Sequence, residues 1–166
     1  MPRPFPKMMR IAEPVSMLTD YALGAASLFF AALLLRTIRV RSRISVRLWS
    51  IGFIATGIAA FAGGTYHGLS SYLDASVLRA LWGITMCAVG ISSGFMVSGV
   101  LTSSISKKDE SRKWLIRGVL VTMAGIAIQQ TPMRRNLNFN HNDIYHVIQA
   151  GALYLFFRGA RLLKDK

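Results

Sequence analysis

The sequence predicts an all-α integral membrane bundle of about five transmembrane helices, N-terminus outside and C-terminus inside. Three observations carry this. The 166-residue chain is 52% hydrophobic and only 16% charged, against roughly 25% charge in ordinary soluble domains. Its mean hydropathy is +0.40. Its cations gather between apolar runs, as in Arg36, Arg39, Arg41, Arg43 and Arg47, or Lys107, Lys108, Arg112 and Lys113. That placement is juxtamembrane, so the net charge of +13 does not point to nucleic acid. The length suits a single domain, residues 1–166. Alternating strand patterns are absent, and lipid requires an internally bonded backbone, which leaves helices.

Residues 1–16 are basic, hold four of the five prolines, and read as an irregular lead-in. The apolar run that follows is too long for a signal-peptide core and lacks a small-residue cleavage site, so it reads as a retained first span over 17–35. The second span covers 48–67. The third covers 77–101, long enough to imply tilt. The fourth covers 114–130, with Arg117 snorkelling and two glutamines closing it. The fifth covers 144–163, with Arg158 and Arg161 snorkelling at its far end. Charge-rich loops between spans one and two and between three and four, with the basic tail, mark the cytoplasmic side. Trp49 and Trp114 then fall at the inner interface, and Tyr21, Tyr66, Trp82 and Tyr145 at the outer one. The small-residue spacings Gly90–Gly94, Gly94–Ser98 and Gly64–Gly68 read as close helix packing. Ser92, Ser93 and Ser98 read as bonded back to their own helix. The lone Cys87 cannot form an intramolecular disulfide and reads as a small packing residue.

Threading the spans through a bilayer brings Asp20, His67, Gln129, Gln130, Asp143, His146 and Gln149 to the outer side. Polar groups in spans are costly and mark candidate sites. Asp143, His146 and Gln149 are three apart and share a helix face. The glycine pair Gly63-Gly64 before His67 admits a close neighbour. Three readings follow. His67 and His146 with a third group bind a divalent metal, zinc being the suited ion, with Asp20 or Asp143 as ligand, second partner or base. Alternatively, His67 and His146 ligate haem for electron transfer. In the third, the cluster hydrogen-bonds within itself, locking the fold or holding a ligand. There is no nucleophile elbow, phosphate-binding glycine loop or redox cysteine pair.

The stretch HNDIYHVIQA, His141 to Ala150, resembles the last-helix motif of the alkaline ceramidase and progestin/adipoQ receptor superfamily. The TYHG segment around His67 resembles that superfamily's earlier histidine helix. The resemblance implies a zinc-dependent hydrolase acting on a lipid or other amphipathic substrate, with His67, His146 and His141 as ligands. The chain departs from the pattern in having fewer spans, His141 and His146 five positions apart, and Gly63 where a serine is expected. As a whole the chain also resembles small bacterial multi-pass proteins that share a GGTYHG segment and a terminal DxxH helix. Chain size, loop charge and this resemblance lead to the expectation of a bacterial inner membrane and a lipid bilayer as the surrounding partner.

Overall fold

A computed structural model describes residues 11–40, 43–106, 109–130 and 141–165, without the side chains of 38–40 and 141. Five helices follow one another: α1 (Pro14–Val40), α2 (Ile44–Leu69), α3 (Ala75–Leu101), α4 (Glu110–Gln129) and α5 (His141–Arg161). Each expected span falls on one of them. Among the described residues there is no extended strand, and a lone bridge pairs Ser103 with Asp165. Three segments are long and apolar enough to cross a membrane: Pro14–Thr37, Ile44–Leu69 and Ala75–Leu101. Pro14 opens α1, at the position where a missing N–H costs nothing.

The order of packing differs from the order in the chain. α1 packs on α2, α2 on α3, α1 on α5, and α5 on α4, with a minor α2–α5 contact. The helices therefore form an open row, α3–α2–α1–α5–α4, whose end members do not pack on each other. α1 and α5 run parallel: Ser16 meets Asp143, Thr19 meets His146 and Phe30 stacks on Phe157, one register throughout. The core lies along this row, with Leu34, Phe53, Leu153 and Phe157 buried and Phe30 against Phe157 at 4.9 Å. In lipid, burial of apolar surface does not drive helix association, so close packing and hydrogen bonds must hold the row together.

α2 is the hub, with 56% of its apolar window buried against 17% for α3. Its glycines permit this. A Cβ at Gly64 would lie 2.7 Å from the Tyr21 ring, and one at Gly99 of α3 would lie 2.5 Å from Trp49. Several expectations are corrected here. The Gly90 and Gly94 stripe on α3 meets nothing within 4 Å, so α3 packs through Ala88, Ser92 and Gly99 instead. Cys87 is exposed, on the apolar flank of α3, and is not a packing residue. Trp49 is 3% exposed and packs on Phe53 and Phe156 instead of standing in an interfacial belt. Ser93 and Ser98 bond back to their own helix, but Ser92 bonds across to Thr56 at 2.7 Å. Trp114 stacks beneath the guanidinium of Arg158 at 4.5 Å, with Arg117 at 5.1 Å.

The two ends of the row are built differently. At the capped end, where α2 and α4 begin, the Asp165 carboxylate accepts from the backbone N–H groups of Ile44 (2.6 Å) and Ser45 (3.0 Å) and from the Ser45 hydroxyl. Arg43, the residue preceding α2, has no side-chain cap of its own, so the tail supplies one. Arg43 in turn donates to the Leu163 carbonyl at 2.8 Å, and Ser104 N–H donates to that of Lys164 at 2.7 Å. At the opposite, polar end, α1, α3 and α5 begin and α2 and α4 finish.

Candidate functional site

The polar end gathers side chains from four helices. α1 and the residue before it present Glu13, Ser16, Thr19 and Asp20, spaced by one helical turn along a single face. α5 presents Asp143, His146 and Gln149 on the matching face. Because the two helices run parallel, these faces meet rung by rung. The Ser16 hydroxyl donates to Asp143 at 2.8 Å. One level further in, His146 places Nδ1 3.1 Å from the Thr19 hydroxyl and Nε2 3.2 Å from Asp20. From α2, His67 Nδ1 approaches Glu13 at 3.2 Å. From α4, Gln129 donates to Asn142 at 3.2 Å. Asp20 is 5% and Asp143 1% exposed.

The hydrogens around His146 can be counted. The Thr19 hydroxyl also points at the Val15 and Ser16 carbonyls, at 3.0 and 3.1 Å. It has one proton to give. If that proton goes to a carbonyl, Nδ1–H donates to Thr19, and a proton must then lie between Nε2 and Asp20, on one or the other. If it goes to Nδ1, Nε2–H donates to a carboxylate. Asp20, His146 and Thr19 thus form a short proton-sharing chain. Such a chain orients an imidazole and hands a proton from one group to the next.

Beside this chain lies a cleft of about 630 Å³, between the unpaired ends of the row. Its polar mouth is formed by Asp20, His67, Gln129, Asn142 and His146, with Gln149 about one turn deeper. Its remaining wall is mainly apolar, with Val89 and Val97 of α3, Leu115 and Val119 of α4, and Phe156, interrupted by the side chains of Thr56, Thr85, Ser92, Ser93 and Thr122. From His67 to Trp49 along α2 the cleft runs about 27 Å at 1.5 Å per residue, close to the roughly 30 Å of a bilayer's hydrocarbon. Three buried polar atoms without a hydrogen-bond partner among the described residues are Trp49 Nε1, Thr122 Oγ1 and Gln149 Oε1. All three residues line this one cleft.

The placement of the expected site residues is mixed. Asp20, His67 and His146 come together at the cleft mouth with Gln129, and Gln149 lies a turn deeper. Asp143 is at the same end but is buried against Ser16 and does not line the cleft. The His141 side chain lies outside the described residues. Among those described, no three His, Cys, Asp or Glu side chains converge on a point that would hold a metal. The described side chains alone therefore do not make up a zinc site, and the third expected ligand, His141, is not among them. Glu13, Ser16 and Thr19 were not singled out from the sequence. Their one-turn spacing with Asp20 is the signal that finds them. Thr122, Trp49 and Asn142 carry no comparable pattern.

A protein-family model, described as a family of unknown function (DUF6962), matches residues 15–108 and 95–165. The chain belongs to that family. The matched stretches include α1 to α5, and with them Asp20, His67, Asp143 and His146 of the polar end. No curated protein and no solved structure matches the chain.

Proposed function

We propose that this protein is a five-span, N-outside membrane protein of the bacterial inner membrane that takes an amphipathic lipid from the bilayer into the cleft between α3 and α4. Its polar group would rest on the Asp20–His146 chain. The observation that carries this is the match between cleft and lipid: a polar mouth at one end, a mainly apolar wall about 27 Å long, and a side open toward the membrane because α3 and α4 do not pack together. A pocket of this size holds a small amphiphile. The parallel run of α1 and α5 supports an odd number of crossings, and the basic residues near the capped end support placing that end in the cytoplasm.

The test uses the purified full chain in nanodiscs and a pyrene-labelled single-chain lipid, read by energy transfer from Trp49 and Trp82. Val119→Trp fills the cleft and is expected to reduce affinity at least about tenfold, in line with the cost of overpacking a formed site. Leu120→Trp, whose side chain faces outward, leaves binding unchanged. Equal binding by both variants overturns the proposal.

A second reading, hydrolysis of the bound lipid, draws on the contact between Asp20 and His146 at the mouth. Asp20 would orient the ring through Nε2, and Nδ1 would take a proton passed on by the Thr19 hydroxyl from an attacking water and return it by the same route to the leaving group. It requires product release that disappears in His146→Ala while lipid binding persists. Since the described side chains alone do not make up a zinc site, no step is routed through a metal.

A further inference from the structure

We propose that Gln149 and Thr122 form a hydroxyl-recognising level inside the cleft, so that the bound lipid carries a hydroxyl group about one helical turn below the polar mouth. This rests on the lipid-binding reading above and specifies its ligand class.

Two orphaned atoms face the cleft at this level. Gln149 Oε1 and Thr122 Oγ1 are buried, line the cleft and have no partner among the described residues. Leaving such groups unpaired is costly, most of all in an apolar surround. Thr122 is unusual among the helix hydroxyls. Thr37, Thr56, Thr65 and Thr85 each bond back to the carbonyl one turn earlier, the ordinary resolution for a threonine in a membrane helix. Thr122 does not take it.

The two atoms also lie at a common depth. Gln149 is three residues beyond His146, about 4.5 Å further from the mouth. On α4, Gly125 faces Tyr145 and Ile148, and Thr122 is three residues past Gly125 in the same direction. A ligand group between them must satisfy an amide oxygen, which only accepts, and a hydroxyl, which donates and accepts. Ester and ether oxygens have no hydrogen for Gln149, and a hydrocarbon has neither. A hydroxyl serves both: it donates to Gln149 Oε1 and accepts from Thr122. Sites built around a ligand hydroxyl discriminate strongly against analogues that lack it, because their own buried groups are then left unpaired.

The experiment compares a pyrene-labelled long-chain 1,2-diol with its dimethyl ether, which keeps both oxygens and loses both hydrogens. Binding to the full-length protein in nanodiscs is read by energy transfer from Trp49 and Trp82. The wild type is expected to prefer the diol by about tenfold. Gln149→Leu brings the ratio close to one without weakening the ether, and Thr122→Val, on a different helix, lowers it by roughly threefold. Should Gln149→Leu fail to fold, Thr122→Val carries the test alone. Equal affinity of the wild type for diol and ether, or a preference that survives in the variants, overturns the hydroxyl level and leaves lipid binding standing. Failure of both probes to bind overturns the hydroxyl level and lipid binding together.

Discussion

The two ends of the bundle use polar groups in opposite ways. At the capped end, Asp165 meets a complete set of donors: two backbone N–H groups at the start of α2 and the Ser45 hydroxyl. At the polar end, Asp20 and His146 share a proton, Thr19 has more acceptors than protons, and just beyond them Gln149 and Thr122 each leave a buried atom without a partner among the described residues. Saturated polar groups hold a structure together and do little else. Buried polar groups left open weaken a fold and are kept where something else completes them. The contrast assigns architecture to one end and chemistry to the other, and each half of that assignment can be broken separately.

The largest effect is expected where helices meet most closely at the capped end. A Cβ at Gly99 would lie 2.5 Å from Trp49 and 3.0 Å from the Ser45 carbonyl, backbone that cannot turn aside. Gly99→Ala should cost about 1–3 kcal/mol, the usual range for overpacking, seen as a lower unfolding midpoint in detergent. Gly94→Ala on the same helix faces open space and should leave the midpoint unchanged or raised. Equal gains at both positions would mean that helix propensity, and not the α2–α3 contact, governs this end.

Asp165 comes next. Asp165→Ala removes the cap of α2 and should cost about 0.5–1 kcal/mol, at the low end for an N-cap because solvent reaches the carboxylate. Partial burial opposes ionisation of Asp165, but the hydrogen bonds from Ser45 and Ile44 and the nearby Arg43 charge outweigh it and hold the carboxyl below its usual 3.8. A carboxyl depressed in the folded state contributes stability above its unfolded pKa and loses it as pH falls through the folded value. The wild type should therefore lose this increment below about pH 4, while Asp165→Ala shows no such loss from this group. Parallel acid profiles for the two proteins would remove Asp165 from its capping role.

These regions also differ in how far the amino-acid sequence exposes them. The five helices are legible because apolar runs and the charges between them are local signals. The gathering of Asp20, His67 and His146 is legible because alternate crossings must bring them to one end. The Asp165 cap is not, since it joins residues 120 positions apart through a tail with no motif. Nor is the cleft, which depends on α1 pairing with α5 and so leaving α3 and α4 apart. Gly90 and Gly94 illustrate the same limit. Their spacing suits close packing, but no neighbouring helix lies against that face.

Thr122 is a buried hydroxyl that makes no hydrogen bond among the described residues, so exchanging it for the near-isosteric valine removes an unsatisfied group without breaking a contact. Stability should hold or rise by up to about 1 kcal/mol, since the penalty for an unpaired buried group is what disappears. Thr56→Val has nearly the same chemistry, but its hydroxyl bonds to Ser92 at 2.7 Å. That change should cost about 0.6 kcal/mol, the average for an interhelical bond in a membrane. Opposite signs from one substitution at two threonines, measured as unfolding midpoints in the same detergent without added lipid, would show that the cleft keeps Thr122 at the expense of the fold. The same sign at both would make Thr122 an ordinary structural residue and leave the cleft without its polar level.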